Sequence, residues 1–94
     1  MKAQFVTESL RHKEVESLML EALADLEHDR WSGWQEYLHS QCLKNKDGSL
    51  TIPAELVERW ERQINTRYKE LSEKEKESDR KEARKTIEII NKYN

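Results

Sequence analysis

The sequence predicts an all-α fold: a small three-helix domain with a long first helix, a middle helix and a capped C-terminal helix. Three observations predict it. Only two Gly and one Pro occur in 94 residues, too few breakers for a chain of strands and tight turns. Apolar residues recur at steps of three and four from about Lys13 to Leu43, the spacing of one helix face. Ser72-Glu73-Lys74-Glu75 forms a capping box, in which the Ser hydroxyl and the Glu carboxylate satisfy backbone N–H groups that a helix start leaves free.

Taken in order, residues 1–12 read as an N-terminal arm or short helix, with Phe5, Val6 and Leu10 as its apolar members, and residues 13–94 as a single helical domain. The first long helix carries Val15, Leu18, Met19, Ala22, Leu23, Leu26, Trp31, Trp34, Leu38 and Cys42. That stripe is wide enough to meet two other helices. Gly33 lies inside it, where glycine costs about 1 kcal/mol relative to alanine. A close helix–helix approach is its expected role, and room for a bound group beside Trp31 and Trp34 is the other.

Asn45-Lys46-Asp47-Gly48-Ser49 reads as a turn, because Gly48 accepts positive φ. Thr51-Ile52-Pro53 then opens the middle helix, with Pro53 at its first position, where no N–H is needed. Leu56, Val57, Trp60 and Ile64 form the apolar face of this helix. Residues 66–71 connect it to the third helix, expected over about Glu73–Lys92 with Ala83, Ile87, Ile90 and Tyr93 on its buried side. The mixed charges of Glu73 to Glu82 read mostly as a solvated face.

Seventeen basic and 19 acidic residues give a net charge of -2, which argues against a general polyanion binder. Arg80, Lys81, Arg84 and Lys85 make a small basic face, extended by Arg30, Arg59 and Arg67, but acidic neighbours weaken its field, so nucleic acid is not the expected partner. Cys42 is the single cysteine, so no intramolecular disulfide forms and a reducing cytoplasm is the expected location. No signal-peptide pattern and no apolar run long enough for a membrane span is present.

Chemistry-bearing residues are sparse. His39 and Cys42 are three apart and could share a metal, but a structural zinc site needs four ligands, and His28 lies about 16 Å away by helical rise. No metal and no cofactor is expected. Cys42 lacks backbone donors for an oxyanion, and no Gly-rich phosphate loop exists, so no catalytic residue is expected. The most informative segment is Glu27-His28-Asp29-Arg30-Trp31. One reading has His28 bonded to a neighbouring loop and Trp31 in the core. The other is a ligand wall, with an indole for stacking, an imidazole for a polar contact and Arg30 for an anion.

Two segments, Glu21 to Trp31 and Tyr68 to Arg80, together resemble the RyR domain, the small repeat named for ryanodine receptors and also found alone in bacteria and phages. The resemblance rests on His28-x-x-Trp31 in the first segment and on the run from Tyr68 through the Ser72 capping box to Asp79-Arg80 in the second. The middle of the chain, Asn45 to Asn65, departs from the family pattern, so no ligand identity carries over. The resemblance implies an all-α domain with a polar groove between its first and last helices, members that pack in pairs, and bacterial versions that sit beside defence and signalling modules and have been proposed to recognise nucleotide-derived ligands. By position it assigns His28, Trp31, Tyr68, Asp79 and Arg80 to the groove; Arg30 and Trp34 join them from the residue-level reading. Asp79 and Arg80 have a second expected role, a salt bridge tying the last helix to the His28 region.

The leading expectation is therefore a non-enzymatic domain that recognises or sequesters a small anionic, nucleotide-like ligand, as in phage or bacterial defence, and that forms a homo-oligomer. The rival expectation is a protein–protein interaction or scaffold module that self-associates through Trp34, Tyr37, Trp60 or the Phe5–Leu10 arm.

Overall fold

The computed structural model describes the backbone from Lys2 to Asn94 and side chains from Leu10 onward. Among the described residues three helices are present: α1, Lys2–Gln41; α2, Ala54–Ile64; and α3, Glu73–Lys92. A two-stranded hairpin, β1 (Leu43–Lys44) and β2 (Leu50–Thr51), joins α1 to α2, and a 3-10 turn at Tyr68–Glu70 leads into α3. The predicted all-α architecture is the observed one.

α1 is one helix of 40 residues, about 60 Å long at the usual rise. Its backbone passes from the 1–12 segment into the rest of the chain without a break. No Gly or Pro precedes Gly33, so nothing local stops the helix near residue 12. The side chains of Phe5 and Val6, expected as packing groups of the arm, lie outside the described residues. At the other end Cys42 N donates to His39 O at 3.3 Å, a tightened last turn.

The hairpin was not expected. It pairs Leu43 with Thr51 and Lys44 with Leu50, antiparallel, around the predicted turn. Asn45 N donates to Ser49 O at 2.9 Å. Asp47 accepts from Ser49 N at 2.9 Å and from Ser49 Oγ at 2.6 Å. Gly48 has φ 90°, the left-handed region that glycine enters without steric cost. These contacts hold the Asp47 carboxyl below its ordinary pKa, the Ser49 hydroxyl contributing most. Thr51 therefore belongs to a strand. Pro53, with φ −58° and ψ 143°, sits one position before α2 as its N-cap rather than inside it. Its carbonyl accepts from Leu56 N at 3.0 Å.

The α2–α3 corner is built around Glu75. Ser72 Oγ accepts from Glu75 N at 3.2 Å, and Ser72 N donates back to Glu75 Oε1 at 3.3 Å, so the capping box read from the sequence is formed. The second carboxylate oxygen accepts from Gln63 Nε2 at 2.5 Å and Arg62 NH2 at 3.4 Å. One side chain thus joins the end of α2 to the start of α3. The Gln63 and Ser72 hydrogen bonds draw its pKa down to about 2.

The buried side of α3 agrees with expectation at Ile90 and Tyr93 and differs at Ala83 and Ile87. Ala83 and Ile87 are exposed, while Thr86, Ile89, Ile90 and Tyr93 are half-buried. α3 meets α1 through Glu82 and Thr86, and this polar pair, not the apolar stripe alone, rotates the helix.

Among the described residues only Leu56, 7% exposed, counts as buried. The chain presents 8356 Å² to solvent, roughly 2,600 Å² more than a compact monomer of its mass. Its radius of gyration is 20.2 Å, against about 12 Å for a compact chain of this length. The extents, 66 × 37 × 18 Å, show why: the long helix runs well past the elements that pack on it. No helix of the described residues is long and apolar enough to cross a membrane.

Candidate functional site

Arg30 is the hinge pin between α1 and α3. Its Nε donates to Glu82 Oε2 at 3.3 Å, one terminal nitrogen donates to Glu27 Oε1 at 2.8 Å, and the other donates to Thr86 Oγ1 at 2.6 Å and to the Glu82 carbonyl. The guanidinium fork is suited to such convergent acceptors. The Arg30 side chain is 20% exposed, so these contacts are partly shielded from water. The Glu82 carboxyl lies below its ordinary pKa, first because Lys85 donates to it and further because Arg30 does. The cation expected to meet a ligand's phosphate is thus engaged within the chain.

A groove of about 510 Å³ runs beside this clamp, lined by Leu26, Asp29, Arg30, Gly33, Trp34, Tyr37, Glu82 and Lys85. It lies between α1 and α3. Gly33 opens onto it: a Cβ there would meet nothing within 4 Å. The close helix–helix approach expected at Gly33 is therefore absent within the chain, and the glycine leaves space beside Trp34. Trp34 and Tyr37 meet edge-on, with ring centroids 6.2 Å apart.

Of the seven sequence-predicted residues, Arg30 and Trp34 line this groove and the other five do not. His28 stacks on Trp31 with centroids 6.2 Å apart and planes at 22°. Trp31 is 60% exposed, so it does not fill a core. Tyr68 lies at the α2–α3 corner with the Lys76 ammonium 5.9 Å from its ring centroid. Arg80 pairs within α3, with Glu73 at 3.2 Å and Glu77 at 3.4 Å; its pKa is raised, chiefly by the Glu73 contact. The expected tie from Asp79 and Arg80 to the His28 region is not what joins the helices. Arg30 with Glu82 and Thr86 makes that tie instead. Asp79 is exposed.

The small basic face of α3 is compensated. Arg84 donates to Glu77 at 2.8 Å and Lys85 to Glu82 at 3.0 Å. The Glu77 carboxyl is held below its ordinary pKa, mainly by Arg84. Among the described residues no group of three or more His, Cys, Asp or Glu is placed to hold a metal ion.

The sequence reading missed Glu82, Thr86 and Leu20. Glu82 and Thr86 are four apart on α3, a spacing that puts two acceptors on one side, but nothing local pairs them with Arg30. Leu20 is 65% and Leu18 58% exposed, on a half of α1 that no hydrogen bond or ion pair among the described residues links to another element. A second groove there is lined by Lys13, Glu16, Ser17, Met19, Leu20 and Leu23, all of them on α1.

In comparisons with protein-family models, curated proteins and solved structures, nothing matches this chain.

Proposed function

We propose that this chain is a non-enzymatic helical interaction module that acts by self-association. The carrying observation is the mismatch between its apolar content and its burial. Leu18, Leu20, Trp31, Trp34, Ile64 and Ile87 are each more than half exposed, and Leu56 alone is buried among the described residues. Exposed apolar area of this extent marks an interaction surface. A chain of this size with so thin a core gains little stability by itself, so assembly completes the fold. Thermal unfolding at increasing protein concentration tests the reading. Mass action raises the Tm of an assembling protein with concentration; a Tm independent of concentration contradicts the proposal.

The groove beside Trp34 favours a second reading, recognition of a small planar anion. Its volume, about 510 Å³, lies within the range of small-molecule sites, and Lys85 and Trp34 offer a cation and a stacking surface. Asp29 and Glu82 on the same walls oppose an anion, which ranks this reading second. Native mass spectrometry of gently purified protein tests it: a nucleotide-sized adduct lost on Trp34→Ala supports it, and a clean apo spectrum counts against it.

A further inference from the structure

The geometry points to one assembly interface: the Lys13–Glu27 stretch of α1 pairs antiparallel with the same stretch of a second copy, Met19 of one chain against Leu23 of the other. This inference rests on the self-association reading and specifies its surface.

The stripe that α3 covers near Arg30 continues toward the N-terminus. Met19, Leu23, Leu26, Arg30, Gly33 and Tyr37 follow spacings of four and three, the seam of a two-helix coil. α3 meets this seam at Arg30, and beyond it Gly33 and Tyr37 line the open groove. At the Met19–Leu23 end the groove is walled by α1 residues, with Leu20 65% exposed beside it. A standard interface takes about 800 Å² from each partner, and the surplus surface of this chain, roughly 2,600 Å², is about three times that.

Charge and shape select the direction. Lys13, Leu20 and Glu27 lie seven apart along one flank of the seam. With Met19 set against Leu23 of the second copy in antiparallel order, Lys13 falls across from Glu27 of the second copy. Leu20 meets its own symmetry mate, and Ala22 does the same on the other flank, where its small side chain permits close approach. In a parallel pair these flank positions fall on opposite sides of the seam, so Lys13 and Glu27 would not meet. Parallel pairing would also bring both α3 helices to one end of the seam, whereas the antiparallel order places the two bodies at opposite ends. The pairing is isologous and closes as a dimer.

Cysteine cross-linking tests the register in a Cys42→Ser background. Met19→Cys and Leu23→Cys chains are prepared separately, mixed and oxidised with diamide. The proposal predicts the mixed 19–23 disulfide and little 19–19 or 23–23 product, because only core partners come within disulfide reach. Homodisulfides in place of the mixed product, or no disulfide at all, overturn the register. A charge swap gives a second readout that does not depend on replacing seam residues: Lys13→Glu weakens dimerisation about tenfold, and adding Glu27→Lys restores it. An unrestored double variant also overturns the pairing. Sedimentation of the unmodified chain separates the two levels of failure. A monomer refutes self-association itself, while an oligomer that lacks the mixed cross-link refutes this interface alone.

Discussion

Replacing Arg30 with methionine removes the fork while keeping most of the aliphatic stem, and the structure sets the size of the effect. Four hydrogen bonds disappear. The Glu27 contact contributes little, because that carboxylate side chain is 68% exposed and surface pairs are worth under about 1 kcal/mol. The bonds to the Glu82 carbonyl and to Thr86 Oγ1 are partly buried, and hydrogen bonds from a charged donor contribute about 1.5–3 kcal/mol each before compensation. The Glu82 carbonyl keeps its helical partner and Thr86 can turn to solvent, so neither acceptor is stranded. A loss of about 2–3 kcal/mol follows, equivalent to a fall in Tm of about 10–20 °C for a domain of this length. Arg30→Lys retains the charge but not the planar fork, and recovers less than half of that loss. The assay is circular dichroism at 222 nm during thermal and urea denaturation, with protein concentration held fixed because assembly shifts stability. Hydrogen exchange in α3 should rise in parallel. A methionine variant within about 0.5 kcal/mol of the parent, the range of ordinary surface substitutions, would refute the claim that Arg30 holds α3 to α1.

Three further outcomes follow from local geometry. The Glu75 carboxyl, with a folded pKa drawn down to about 2 from 4.5, contributes stability that is present above its unfolded value and lost as pH falls toward 2; Glu75→Gln should flatten the acid side of the pH–stability profile, and an unchanged profile would exclude this carboxylate as the corner's link. Gly33→Ala should raise stability by up to about 1 kcal/mol, since a Cβ there meets nothing within 4 Å; destabilisation in a thermal melt would mean that this face is packed. Gly48→Ala, at φ 90°, should cost about 1–3 kcal/mol and loosen the Asn45–Ser49 turn, visible as weaker Ser49 amide protection in NMR; unaltered protection would contradict the strain argument.

What could be read from the sequence was the chemistry that acts within a few residues. Ser72 and Glu75 formed their capping box, and Asp47-Gly48 formed its turn, because the donors and acceptors sit four or fewer positions apart. Pro53 marked the start of α2 to within one residue, since a missing N–H and a fixed φ constrain only a helix boundary. The side of α3 that packs was misjudged for the opposite reason. Ala83 and Ile87 satisfy helical periodicity, yet Glu82 and Thr86 face α1 because Arg30, more than fifty residues earlier, supplies donors for both. Gly33 shows the same limit: its place in an apolar stripe suggested close packing, and only the placement of α3 reveals the open space. Of the candidate site, Arg30 and Trp34 were legible as neighbours on one helix. His28, Trp31, Tyr68, Asp79 and Arg80 lie outside the groove those two line: His28 and Trp31 stack on each other, Arg80 pairs with Glu73 and Glu77, Tyr68 meets Lys76 at the corner, and Asp79 is exposed.

Sedimentation equilibrium of the unmodified chain, across a concentration series at neutral pH, tests the central claim most directly. A reversible monomer–dimer equilibrium that reaches twice 11.3 kDa is expected, with Leu20→Asp shifted strongly toward the monomer. A single species at 11.3 kDa at every concentration, cooperatively folded, would contradict it.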